Sequence, residues 1–127
     1  ARIGSYVNKF GLVRNVDAVS FAADASVFFR DYDVLLTPAL AQFPPHADQW
    51  RSKSWFANFM ANTSYAPFAA PWNMVGWPAA TIPVGADEKT GLPLAVQAVV
   101  QPGKEKLLFS LARQLERIQP WPLLSDY

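Results

Sequence analysis

Asn73-Met74-Val75-Gly76-Trp77-Pro78-Ala79-Ala80-Thr81-Ile82-Pro83-Val84-Gly85 is the stretch whose reading decides the fold. Within it Ala79-Ala80-Thr81-Ile82 reads as a short strand closed by Pro83 and Gly85, and Leu92 through Val100 reads as a second, closed by Gln101-Pro102-Gly103. Between them Ala86-Asp87-Glu88-Lys89-Thr90-Gly91 is the only strongly polar run in this half of the chain. That predicts a solvent-facing turn and two strands that pair as neighbours. Ahead of the first strand, Gly76 permits a turn or a close backbone approach, and Pro78 fixes the geometry where the strand begins. Asn73 can tie its amide to backbone groups there.

Outward from this pair the chain reads as helices. Lys104 to Ile118 carries Leu107, Leu108, Leu111, Leu115 and Ile118 as one stripe, with Glu105 in the first turn, Arg113 and Arg117 near the end, and Pro120 as terminator. On the other side, Ser54 precedes an aromatic-rich helical stretch, Trp55, Phe56, Phe59 and Met60, which Pro67 and Pro71 end or interrupt. Both of its sides are apolar, which suits burial between layers or against further protein. Ala39 to Lys53, with Pro44, Pro45, His46 and Asp48, reads as an irregular connection of the length that often carries function. Val34-Leu35-Leu36-Thr37 predicts a short strand covered on both faces and stopped by Pro38. Asp17 to Arg30 predicts a helix capped by Asp17, with Val19, Ala22, Ala23, Val27 and Phe28 as its apolar stripe. Ala1 to Asn15 shows weak periodicity. The order helix, strand, loop, helix, two strands, helix implies an α/β fold with sheet and helices sharing a core.

Composition narrows the function. With Lys plus Arg at 11, Asp plus Glu at 10 and a net charge of +1, the chain has little long-range field to gather polyanions, so no nucleic-acid partner is expected. No cysteine is present, which excludes disulfides, thiol nucleophiles and thiolate zinc sites. No run approaches the roughly 18–20 apolar residues of a membrane span, and no membrane partner is expected. Hydrophobic residues make up 51% and charged ones 17%, against about 25% charged in an ordinary soluble domain. The 127 residues either enclose a large apolar interior or turn part of it toward other protein.

Side-chain chemistry is sparse. Serines 5, 20, 26, 52, 54, 64, 110 and 125 stand in neither a G-x-S-x-G elbow nor an S-x-x-K helix. The one histidine, His46, lies in the Pro-rich connection two residues from Asp48, where a structural role outweighs catalysis, and one histidine makes a poor metal site. Asp31 and Asp33 bracket Tyr32 at a helix-to-strand junction, where capping or a turn explains them. Gly85, Gly91 and Gly103 are too dispersed to cradle a phosphate. No cofactor and no metal are expected. The density of aromatic residues from Trp50 to Trp77 fits an aromatic core, the lining of an apolar ligand pocket, or an interface.

Four ordered blocks resemble the C-terminal part of the amidase signature family of serine hydrolases. They are Tyr32-Asp33-Val34-Leu35-Leu36-Thr37-Pro38, the stretch Asn73 to Gly85, Gly91-Leu92-Pro93-Leu94-Ala95-Val96-Gln97, and Glu105 with Leu107, Leu108 and Ala112. The resemblance runs from about Phe21 onward. Ala95 stands where relatives often have glycine, a mild departure. The family implies an α/β/α fold with a large mixed sheet, and hydrolysis or transfer of the amide nitrogen of carboxamides. Its serine nucleophile, second serine and lysine base lie upstream of the matched region, and no Gly-Gly-Ser-Ser-Gly stretch occurs here. No catalytic residue is therefore assigned.

What the resemblance implies is residues 1–127 as a single partial domain, the C-terminal segment of a larger amidase domain. Its partners would be the N-terminal catalytic portion and a small-molecule amide, in a cytoplasmic enzyme that a homo-oligomer would also suit. Trp50, Trp55, Phe59, Trp72 and Asn73 are the expected substrate-binding residues, on the acyl side of the pocket. The alternatives are part of a glutamine-dependent amidotransferase subunit, or a non-enzymatic small α/β binding domain. The isolated chain is expected to be inactive.

Overall fold

A computed structural model describes residues 18–47 and 50–121. The expectations for Ala1 to Asn15, the Asp17 cap and Asp48 lie outside them. Helix α1 (Ala18–Phe28) leads to strand β1 (Leu35–Pro38). A 3-10 turn (Trp50–Ser52) follows the irregular connection, then helices α2 (Trp55–Tyr65) and α3 (Ala69–Val75). Strands β2 (Ala79–Ala86) and β3 (Pro93–Val99) precede helix α4 (Glu105–Ile118). The strands form one antiparallel sheet in the order β1-β3-β2, with Leu35 and Ala79 both opposite Val99.

Alternation along the central strand builds two cores from one sheet. Val99 faces a cluster with Ala25 and Phe29 at the C-terminal end of α1 and Trp72 of α3, while Ala98 and Val100 face Ile82 and Leu108 of α4. Helices therefore cover both faces. The clusters hold because Val99, Ala98 and Val100 are completely buried and the helices meet them with large side chains, each worth about 1.5–3 kcal/mol on full burial. Gln97 is the buried polar residue among those described, and its Nε2 donates to the Phe68 carbonyl at 3.0 Å, tying β3 to the link between α2 and α3.

Helix α3 shows how local chemistry sets the fold. Pro71 sits in its first turn, where the missing N–H has no intrahelical acceptor to lose, so this proline starts a helix rather than breaking one. At the other end Gly76 adopts φ 68°, a left-handed conformation, and the Trp77 amide donates back to the Trp72 carbonyl at 3.1 Å. That six-to-one bond, with the Trp72 and Trp77 rings 5.8 Å apart, is a Schellman ending with its usual apolar contact. It reverses the chain into β2.

Several expectations change. The strand expected at Val34 to Thr37 runs from Leu35 to Pro38, which pairs with Val96 as an edge-strand proline instead of stopping the strand, and Leu36 is 55% exposed because α4 packs against β2 and leaves the β1 side bare there. Strand β2 does not close at Pro83: it continues to Ala86 through a register shift between Pro83 and Gly85, and a bulge is where a strand tolerates a residue without N–H. The stripe of α1 is rotated: Phe21, Ala25 and Phe29 face the sheet while Val19 and Val27 point outward. Both faces of α1 are apolar, and the larger rings take the inner one. Ile118 continues the α4 stripe but ends up exposed at the helix terminus. The turn between β2 and β3 is as expected, with Asp87 Oδ2 accepting from the Thr90 amide at 2.9 Å and its hydroxyl at 2.7 Å. The Thr90 hydroxyl first, then its amide, holds the Asp87 carboxyl below its ordinary value.

Candidate functional site

Ser54 starts α2 as an N-cap, its Oγ accepting from the Ala57 amide at 3.2 Å. One face of the helix then presents Asn58, Ala61, Asn62 and Tyr65, at positions i, i+3, i+4 and i+7, toward Pro45, Trp50 and Arg51. They enclose a hollow of about 510 Å³. Asn58 fixes its floor, because its Nδ2 donates to the Trp50 carbonyl at 3.0 Å and the Lys53 carbonyl at 3.4 Å. Trp50 is held from two more sides: its indole N–H donates to the His46 carbonyl at 3.3 Å, and the Lys53 ammonium lies 3.7 Å from the ring centre. The Tyr65 carbonyl accepts from the Ala41 amide at 3.0 Å, closing the connection over the helix end.

The opposite face of α2 is aromatic and turned outward. Trp55 and Phe59 stack at 5.3 Å with their planes 14° apart, and Trp55, Phe56 and Met60 are all exposed. Of the five expected substrate-binding residues, Trp50 lines the hollow, Trp55 and Phe59 form the outer stack, Trp72 is buried in the core and Asn73 is exposed on α3. The structure brings Trp55 and Phe59 together and keeps the other three apart. The Asn73 side chain makes no hydrogen bond among the described residues; the turn it precedes is closed by Trp72 and Gly76 instead. Sequence reasoning missed Arg51, Asn58 and Asn62, although the spacing of the two asparagines on α2 was there to be read; Tyr65 belongs to the aromatic run that it weighed as pocket lining.

A second hollow, about 330 Å³, opens between the outer edge of β2 and α4, lined by Ala80, Ile82, Leu108, Phe109 and Trp121. It is apolar. Three of the described serines serve the backbone: Ser26 and Ser110 bond to carbonyls four residues back at 2.7 and 2.9 Å, and Ser54 caps α2. Lys104 pairs with Asp33 at 3.5 Å across the surface. Among the described residues no three His, Asp or Glu gather as a metal site, and no helix is long and apolar enough to cross a membrane.

Comparison with known proteins agrees on a family. A family model described as Amidase matches residues 12–109. AmiB2 of Mycobacterium tuberculosis, provisionally named an amidase, is 32% identical over 123 residues, 95% of this chain and 26% of its own length. AmiA2 of the same organism, likewise provisionally named, is 37% identical over 93 residues, 73% of this chain and 19% of its own. A solved structure of 6-aminohexanoate cyclic dimer hydrolase superposes with a TM-score of 0.57 at 27% identity, over 82% of this chain and 23% of that one. The chain spans about a quarter of the relatives it matches.

Proposed function

The chain belongs to the amidase family, and from that premise we propose that it is the C-terminal part of an amidase. That enzyme hydrolyses a carboxylic acid amide to the carboxylate and ammonia or an amine. Its nucleophilic serine and lysine base stand on the remaining part of the domain, and the reaction runs through attack on the amide carbonyl, stabilisation of the oxyanion, loss of the amine, and hydrolysis of the acyl-enzyme. The match over residues 12–109 carries the reading.

Structure supports the partial-domain part of it. Among the described residues neither β1 nor β2 pairs with a further strand on its outer side, α2 turns Trp55, Phe56 and Met60 outward, and the hollow beside β2 is apolar. Edges and patches of this kind are ordinarily covered. In the intact cytoplasmic enzyme the sheet extends into the large mixed sheet of an α/β/α domain. Of the expected residues Trp50, Trp55, Phe59, Trp72 and Asn73, the outward Trp55–Phe59 stack shapes the acyl side of the substrate pocket, and the other three stand apart from it. The test is amide turnover by the intact enzyme and by this chain alone. Turnover by the former and none by the latter is expected; amide hydrolysis by verified 127-residue material would overturn the assignment.

A further inference from the structure

The hollow on the inner face of α2 holds more polar capacity than the fold uses. Arg51, Asn62 and Tyr65 line it, and none of their side chains makes a hydrogen bond or ion pair among the described residues. Asn58, by contrast, is engaged with two carbonyls, which makes the Trp50–Arg51 turn and the helix one rigid wall. The stretch from Ala39 to Tyr65 carries Arg51 and Lys53 against one acid, Asp48. At about 510 Å³ the space is of small-ligand size, and Pro45, Trp50 and Ala61 give it an apolar side.

We infer that this hollow binds a small carboxylate with an apolar body. A guanidinium offers two parallel N–H donors that match a carboxylate, and Asn62 and Tyr65 add neutral donors beside it. The Trp50 ring, fixed by its bond to His46 and by Lys53, forms the flat wall for an aromatic or aliphatic body. A phosphate would use the same cation but gain nothing from the apolar wall. The inference rests on the geometry of this hollow and stands whether or not an amide substrate reaches Trp50.

Calorimetric titration of the intact enzyme tests it, with benzoate as the probe and benzyl alcohol as its uncharged counterpart. Benzoate binds at least tenfold more tightly than benzyl alcohol. Arg51→Met weakens benzoate at least tenfold, while Arg30→Met, on the exposed end of α1, leaves it unchanged. Equal binding of acid and alcohol, no loss in Arg51→Met, or the same loss in both variants would each overturn the inference. Because the readout is binding, absence of amide turnover would count against the proposed function and leave this result intact.

Discussion

Replacing Gln97 probes a buried polar connection that joins the sheet to the aromatic half of the chain. Its Nε2 donates to the Phe68 carbonyl at 3.0 Å and reaches the Thr37 hydroxyl at 3.5 Å, so a single good bond is at stake. Gln97→Leu keeps roughly the same volume and leaves the Phe68 carbonyl without its donor, at a cost of about 1–3 kcal/mol, less a fraction recovered by the apolar side chain. Gln97→Glu asks more of the same site. Ionised, the new carboxylate turns only acceptors toward that carbonyl; protonated, it can donate as the amide does. Burial and the facing acceptor both raise its folded-state pKa above the unfolded value of about 4.3. The folded state then binds a proton that the unfolded state has released, so stability falls as pH rises through this window, by about 1.4 kcal/mol per pH unit until the folded pKa is passed. Denaturant unfolding at pH 4, 6 and 8 therefore shows a glutamate variant close to the parent at pH 4 and less stable than the leucine variant at pH 8. A leucine variant as stable as the parent, together with a glutamate variant whose deficit does not change with pH, would refute the role given to this bond.

Trp72→Ala removes a ring from the centre of the α1–α3 core and should cost about 3–5 kcal/mol in denaturant unfolding, whereas Trp55→Ala, on the exposed face of α2, should cost less than about 1 kcal/mol in the isolated chain. Gly76→Ala meets no atom within 4 Å of its new Cβ, so its penalty is the left-handed backbone alone, about 1–2 kcal/mol by the same measurement. Asp87 is half-buried in the turn, and its carboxyl titrates below the ordinary value. Its contribution to the turn is present above that ordinary value and fades as pH falls through the lowered one; an NMR titration should show the Thr90 amide shifting with the same midpoint, and Asp87→Asn should abolish that shift.

The fold was legible where the sequence signal was one-dimensional. Val96 to Val100 alternates between two apolar faces, and the polar run from Ala86 to Gly91 leaves a hairpin as the economical connection, so the β2–β3 pair followed from pattern alone. Where both faces of an element are apolar the pattern is mute. On α1, Val19 and Phe21 are both apolar; what turns Phe21 inward is the Trp72 ring 5.2 Å away, contributed by a helix some 50 positions later in the chain. Val34 to Thr37 reads as fully buried because hydropathy reports what a strand can bury, and α4 happens to lie over β2 instead.

The same reasoning explains why the site was less readable than the fold. Trp50, Trp55 and Trp72 are one residue type in one aromatic-rich stretch, and they end in a hollow, on an outer surface and in a core. Their fates are set by three local devices of a few atoms each. Asn58 pins the Trp50 carbonyl to α2, Ser54 starts that helix with Trp55 at its first position, and Gly76 reverses the chain so that Trp77 closes over Trp72. Each device is a small polar residue or a glycine, the residue types that a search for ligand-lining aromatics passes over. Aromatic density located the region; the hydrogen-bonding residues between the aromatics decided which ring meets solvent, ligand or core. On this argument, exchanging Asn58 for alanine releases the Trp50 turn from α2 while leaving Trp72 untouched, so the Trp50 indole N–H resonance should shift and the Trp72 one should not. Equal shifts at both indoles would mean that the hollow and the core are one mechanical unit rather than two.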